Sequence, residues 1–137
     1  MRNLALVKDH YIRATHRLEA VKLLFSRGAY ADTVREAQEV VELLLKALLR
    51  YSNIEVPRIH DVSPILLENQ EQFPESVQKD IDEFGEISRH LRRDRELAFY
   101  GSEDLTPMEF YKKKDAKKAL EQAGFVHSKL AFLASAK

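Results

Sequence analysis

Apolar residues recur at intervals of three and four positions along four long stretches of this chain, which is the periodicity of amphipathic helices. The clearest stripe lies in the second stretch, which neither glycine nor proline interrupts, and comprises Val34, Ala37, Val41, Leu44, Leu45 and Leu48. No run of alternating apolar and polar residues between turn signals indicates a sheet. The pattern therefore predicts an all-α protein.

Turn-forming residues divide the chain into five predicted helices. They cover about residues 4–26, 30–51, 62–69, 75–99 and 112–133. Gly28 and Gly101 are placed to end the first and fourth helices, and Asp61 or Ser63 to start the short third one. Four long helices with short connections predict an up-and-down antiparallel four-helix bundle with an additional short helix. A chain of 137 residues is expected to form one domain over residues 1–137.

Composition narrows the classes of function. Lys and Arg total 22, as do Asp and Glu, so any basic site must be local. The absence of cysteine removes disulfides and thiolate sites and favours a cytoplasmic location. Charges scattered through the first 25 residues predict neither a signal peptide nor a membrane span. No motif for a metal or a cofactor is present, and the acidic residues near position 80 are expected to form a solvated face.

One charge interrupts an apolar stripe. On a helix, Arg95 falls in the same arc as Leu91 and the other apolar residues of the fourth helix. An unpaired buried guanidinium costs several kcal/mol, so Arg95 needs a carboxylate, an aromatic ring, a second subunit or a ligand. Glu42, one turn after Gln38 on the second helix, is the expected partner. The pair is either a structural ion pair or part of a polar cleft with Arg92 at its edge.

Two other features have both a structural and a functional interpretation. His60 and Asp61 are candidates for an accessory acid-base pair, but a helix cap explains Asp61 without further assumptions. The five lysines of residues 112–118 form a basic patch that RNA phosphates could contact, although such runs are more often solvated surface.

Four segments, taken in order, resemble the HEPN family of small helical proteins. They are residues 35–49, the sequence PRIHDV at 57–62, the sequence RELAFYG at 95–101 and residues 111–116. The resemblance implies a bundle of four or five helices, usually a homodimer, with a cleft where the fourth helices of two subunits meet. It also implies a minimal nucleotidyltransferase as a partner, because such proteins are often encoded together.

Active family members are metal-independent endoribonucleases that carry an Arg followed, after four to six residues, by a His. No histidine of this chain has that spacing, and Tyr100 stands five residues after Arg95. Histidine titrates near neutral pH, whereas an ordinary tyrosine, with a pKa of about 10, does not. Arg95 and Tyr100 are thus catalytic candidates only by position. Arg95 is better suited to holding a phosphate, and Tyr100 is a candidate for adenylylation by a partner.

These observations favour a dimeric nucleotide- or RNA-binding component of a toxin-antitoxin-like HEPN and nucleotidyltransferase module. Its ligand-binding cleft is predicted to comprise Gln38, Glu42, Arg92, Arg95 and Tyr100. One alternative is a metal-independent endoribonuclease toxin in which His60 or His90 replaces the motif histidine. The other alternative is a purely structural adaptor without a ligand.

Overall fold

The computed structural model describes residues 3–56, 58, 61–100 and 106–136, and it describes side chains outside residues 93–100. Its seven α-helices are α1 (Leu4–Ser26), α2 (Tyr30–Tyr51), α3 (Ser63–Glu68), α4 (Glu75–Gln78), α5 (Ile81–Tyr100), α6 (Pro107–Phe110) and α7 (Lys113–Lys129). Two 3₁₀ turns cover Gln70–Gln72 and Ala131–Ser135. These residues include no strand, which confirms the all-α prediction.

Helices α1 and α2 have the predicted bounds. Local signals fix both ends of α1, and the turn that ends α1 also sets the start of α2. The side chain of Asn3 accepts a hydrogen bond from the backbone N–H of Leu6 at 3.0 Å and caps the start. At the other end Gly28 has a φ of +75°, a left-handed conformation that glycine adopts without strain. The backbone N–H of Ala29 donates to the Leu24 carbonyl at 3.0 Å, which closes the turn. This short turn makes α1 and α2 antiparallel.

The second helix is the centre of the bundle, since it packs against α1, α5 and α7. Its predicted stripe is buried throughout, and Leu44, Leu45 and Leu48 have no solvent exposure. Val34, near the start of α2, lines a cavity with Leu91 of α5 and Ala119 of α7. At the other end of α2, the ring of Tyr51 lies 5.4 Å from that of Phe132. Therefore α7 runs parallel to α2. Asp80, which precedes α5, lies 4.0 Å from Lys129 at the end of α7, so α5 runs antiparallel to both, as in an up-and-down bundle.

The predicted fourth helix is divided in the structure. It consists of α4 and α5, separated at Lys79 and Asp80. Asp80 was expected on a solvated acidic face, but it is only 7% exposed and its carboxylate lies 4.0 Å from the ammonium of Lys129. The interruption thus brings Asp80 against the end of α7. The predicted last helix also changes character, because α7 ends at Lys129 and a 3₁₀ turn continues the chain.

The apolar arc of α5 has the predicted composition over its described side chains. Ile81, Phe84, Ile87 and Leu91 are all buried. A further contact joins α1 to α7, where the Tyr11 ring stacks on the His127 ring with centroids 4.8 Å apart. Within the described part of the chain, no helix is long and apolar enough to cross a membrane.

Candidate functional site

A groove of about 790 Å³ runs along α1, α2 and the segment that follows α2. We call it the α1–α2 groove. Its lining residues are His10, Arg13, Arg17, Glu39, Glu42, Leu43, Lys46, Arg50, Glu55, Val56 and Arg58. Apart from the adjacent Glu42 and Leu43, the contributors on each helix recur every three or four residues, so each helix presents one continuous row of side chains to the groove.

The groove is locally basic although the chain as a whole is neutral. Five of its lining side chains are Lys or Arg and three are Glu, a positive excess that the equal chain totals of 22 do not reveal. Three of the cations are paired, since Lys46 lies 2.9 Å from Glu42, Arg17 lies 3.8 Å from Glu36 and Arg13 lies 3.6 Å from Asp9. The side chains of Arg13 and Arg17 are about half exposed, and such ion pairs contribute little energy, so these two arginines are available for an anionic ligand. Lys46 and Glu42 are only 20% and 12% exposed and form a more shielded pair.

The end of the groove near His10 concentrates positive charge. The side chain of His10 is 14% exposed, and burial, followed by the charges of Arg50 and Arg13, lowers its pKa, which Asp9 opposes. Burial and like charge both disfavour the imidazolium, so His10 is neutral at pH 7. The Nε of Arg50 is buried and has no hydrogen-bond acceptor among the described residues. Because this nitrogen is shielded from solvent, a ligand in the groove would meet only the remaining part of the Arg50 guanidinium.

Two residues of the predicted cleft are hydrogen-bonded to each other on α2. The side-chain amide of Gln38 donates to Glu42 Oε2 at 3.1 Å, and Lys46 Nζ donates to Glu42 Oε1 at 2.9 Å. Gln38 is 2% exposed, and its Oε1 has no donor among the described residues. Because Glu42 also lines the α1–α2 groove, the predicted cleft and the groove share a wall.

The remaining residues of the predicted cleft lie on α5. Arg92 is half-buried on that helix, which packs against α2. Arg95 and Tyr100 belong to the last two turns of α5, and their side chains lie outside the described residues. The expected pairing of Glu42 with Arg95 therefore stays a prediction.

The candidate accessory residues are distributed differently. His60 lies outside the described residues. Asp61 Oδ1 accepts hydrogen bonds from the backbone N–H of Ser63 and from the Ser88 hydroxyl, each at 2.9 Å. Asp61 thus holds the start of α3 against α5, even though Val62 occupies the cap position itself. A structural role, in which Asp61 anchors the start of α3 to α5, accounts for both contacts.

His90 and the lysine patch are separate from the α1–α2 groove. His90 lines a cavity of about 100 Å³ together with Asp115 and Lys118. The lysines of residues 112–118 are exposed. The described residues contain no cluster of His, Asp or Glu able to hold a metal ion.

Sequence reasoning missed most of the α1–α2 groove. His10, Arg13 and Arg17 recur at intervals of three and four on α1, and Lys46 and Arg50 at an interval of four on α2. This periodicity of cations was available in the sequence. It is less conspicuous than the apolar stripes, and only the antiparallel packing of α1 on α2 brings the two rows together.

The fold and the groove define a small helical-bundle protein with a local basic site suited to anions. The HEPN domain model matches residues 7–132, and the chain belongs to the HEPN family. It is also 28% identical, over 127 aligned residues, to the Methanocaldococcus jannaschii protein named "Putative toxin MJ1304". That alignment covers 88% of this chain and 83% of the relative. No solved structure gives a significant match.

Proposed function

We propose that this protein is a toxin-like HEPN protein that binds RNA or a nucleotide as a homodimer, and that a minimal nucleotidyltransferase is its cytoplasmic partner. The observation that carries the proposal is the polar pair of Gln38 and Glu42 on α2. These side chains lie on the helix that packs against α5, and Glu42 opens onto a basic groove. A polar wall beside a positive groove suits a ligand that combines phosphates with hydrogen-bonding groups.

Buried polarity on α2 supports a cleft at this position. A buried side-chain oxygen without a donor costs about 1–3 kcal/mol, and Gln38 Oε1 has none among the described residues. Arg95 of the same subunit, a second subunit or a ligand would each supply a donor. The family resemblance favours a cleft at the subunit interface, where all three could contribute.

The chemistry of the proposed cleft favours binding over cleavage. Cleavage of RNA through its 2′-hydroxyl needs a group that exchanges a proton near neutral pH. Tyr100 stands where the family has its histidine, and an ordinary tyrosine remains protonated at pH 7. In this proposal, Arg95 holds a phosphate and Tyr100 stacks on a base or is modified by the partner. In that modification the Tyr100 hydroxyl loses its proton and forms a phosphodiester bond with the α-phosphate of a nucleoside triphosphate, and pyrophosphate leaves.

A metal-independent endoribonuclease is the second candidate function. The relative with "toxin" in its name favours it. In this case His60 or His90 would serve as the proton-transfer group. Since His90 lines a different cavity from Glu42, it would have to act on RNA bound away from the α1–α2 groove.

The test is an RNA binding and cleavage assay in EDTA with wild type, Arg95→Ala and Tyr100→Phe. Arg89→Ala is the matched control, because Arg89 is an exposed arginine of the same helix. We expect the wild type to bind RNA without cleaving it, Arg95→Ala to weaken binding at least tenfold and the control to change it less than twofold. Cleavage that Arg95→Ala abolishes would establish the endoribonuclease instead.

Two further measurements test the partners. Light scattering of the purified protein is expected to give twice the mass of 15.9 kDa. Co-expression with an adjacent nucleotidyltransferase gene is expected to add one nucleotidyl mass to the wild type and none to Tyr100→Phe. A protein that binds neither RNA nor nucleotides at micromolar concentration would contradict the proposed function.

A further inference from the structure

The two ends of the α1–α2 groove differ in charge. At one end, Arg17 is close to Glu36 and shares the groove with Glu39. At the other end, Arg13 and Arg50 act together on His10. The antiparallel packing produces this arrangement, since the start of α1 lies beside the end of α2.

Acidic side chains offset only part of the charge near His10. Asp9 lies 3.6 Å from Arg13 and 3.8 Å from His10 Nδ1, and both Asp9 and Arg13 are about half exposed. Glu55 lines the same end of the groove and is exposed, as is Arg58. Neither carboxylate accepts a hydrogen bond from the buried Nε of Arg50. Arg50 is half-buried and lines the groove, so a ligand there would contact the part of its guanidinium that lies beyond the shielded Nε.

We infer that this end of the α1–α2 groove binds the phosphodiester backbone of single-stranded RNA, with Arg13 and Arg50 as the two principal phosphate contacts. The inference rests on the proposed function and adds a second contact region for the same RNA. Planar guanidinium groups recognise phosphate oxygens through paired hydrogen bonds. The volume of about 790 Å³ lies within the range of ligand sites and accommodates a short run of nucleotides.

The groove also leads toward the proposed cleft. Lys46 and Glu42 lie one and two turns before Arg50 on the same side of α2, and Glu42 is hydrogen-bonded to Gln38. A strand held at Arg50 and laid along α2 would therefore reach the polar pair on which the proposed function rests. Phosphate contacts of this kind position a strand without reading its sequence.

The test is fluorescence anisotropy of a labelled single-stranded RNA with the full chain at several salt concentrations in EDTA. The groove variant is Arg13→Ala/Arg50→Ala. The matched control is Arg27→Ala/Arg89→Ala, which removes the same charge at two exposed arginines that do not line the groove. We expect the groove variant to raise Kd at least tenfold and the control to raise it less than twofold.

The salt dependence gives a second readout. Each lost phosphate contact on a single strand reduces the magnitude of the slope of log association constant against log salt concentration by about 0.7. The groove variant loses two contacts, so its slope should be smaller by about 1.4. Arg13→Glu alone should also weaken binding at least tenfold. Because the Arg13 side chain is half exposed, this substitution should not unfold the protein, and the loss of binding would then reflect a lost RNA contact. Equal losses in the groove variant and the control would overturn the inference.

The outcomes separate this inference from the proposed function. If the groove variants bind RNA like the wild type while Arg95→Ala does not, the groove inference fails and the proposed function stands. If the wild type binds no RNA, both fail. Displacement of the RNA by poly-glutamate at equal charge concentration would also overturn the inference, because the groove would then be a general polyanion surface.

Discussion

Replacing Asp61 with Ala is expected to lower stability without affecting RNA binding. One carboxylate oxygen of Asp61 accepts hydrogen bonds from the Ser63 backbone and the Ser88 hydroxyl, both at 2.9 Å. Ser63 and Ser88 are 1% and 5% exposed, so water cannot readily replace the lost acceptor. The substitution therefore leaves two buried donors without a partner.

The magnitude follows from these two contacts. A hydrogen bond to a charged group contributes about 1.5–3 kcal/mol, and loss of a helix-capping side chain costs about 1 kcal/mol. Asp61 itself is only half-buried, which reduces both contributions. We expect the free energy of unfolding to fall by about 2–3 kcal/mol. In a double-mutant cycle with Ser88→Ala, about 1 kcal/mol should appear as coupling.

Urea unfolding at one fixed protein concentration measures this change, since the stability of the proposed dimer would depend on concentration. The control is Asp82→Ala, which removes an exposed carboxylate that accepts a hydrogen bond from Gln70 at 3.0 Å and should cost less than about 0.5 kcal/mol. A change below about 0.5 kcal/mol for Asp61→Ala would refute the capping argument. Loss of RNA binding at unchanged stability would make Asp61 a residue of the functional site.

Other regions give further expectations. Leu48→Ala empties a fully buried position on α2 and should cost about 2–5 kcal/mol in urea unfolding, whereas Leu23→Ala, at a 58% exposed position, should cost less than about 0.5 kcal/mol. Burial lowers the pKa of His10 and His127 from 6.5, so the unfolded chain binds more protons below pH 6.5. Tm should therefore be constant above that pH and fall below it, and His127→Gln should reduce the fall. Tyr11→Phe keeps the ring stacking but loses the 3.3 Å hydrogen bond to the His127 carbonyl, so calorimetry should show a loss of about 0.5–1.5 kcal/mol.

The fold could be predicted where local signals act alone. Asn3 and Gly28 fix the ends of α1 through interactions with residues only a few positions away. The apolar stripe of α2 is uninterrupted, so a helix is the only secondary structure that fits it. The division of the fourth helix could not be predicted in the same way. It accompanies the approach of Asp80 to Lys129, a contact between residues 49 positions apart that no local pattern contains.

In the candidate site, too, some features follow from local sequence and others depend on contacts between residues distant in sequence. Gln38 and Glu42 could be predicted as neighbours, because a spacing of four on one helix places them side by side. The α1–α2 groove depends on which residue of α1 faces which residue of α2. The approach of Arg17 to Glu36 and the electrostatic effect of Arg50 on His10 both follow from that register. The turn at Gly28 and the interlocking apolar stripes set the register, and neither involves a residue of the groove.

This separation determines how stability and ligand binding can be distinguished experimentally. The apolar side of α2 supports the bundle, whereas its side toward the groove presents Glu42, Lys46 and Arg50. Arg13 and Arg17 likewise lie on the half-exposed side of α1, away from its buried stripe. Substitutions of the half-exposed Arg13 and Arg17 should therefore leave the core intact. A defect in RNA binding that they produce would report on ligand contacts, while the substitutions of Asp61 and Leu48 report on the fold that holds those contacts in place.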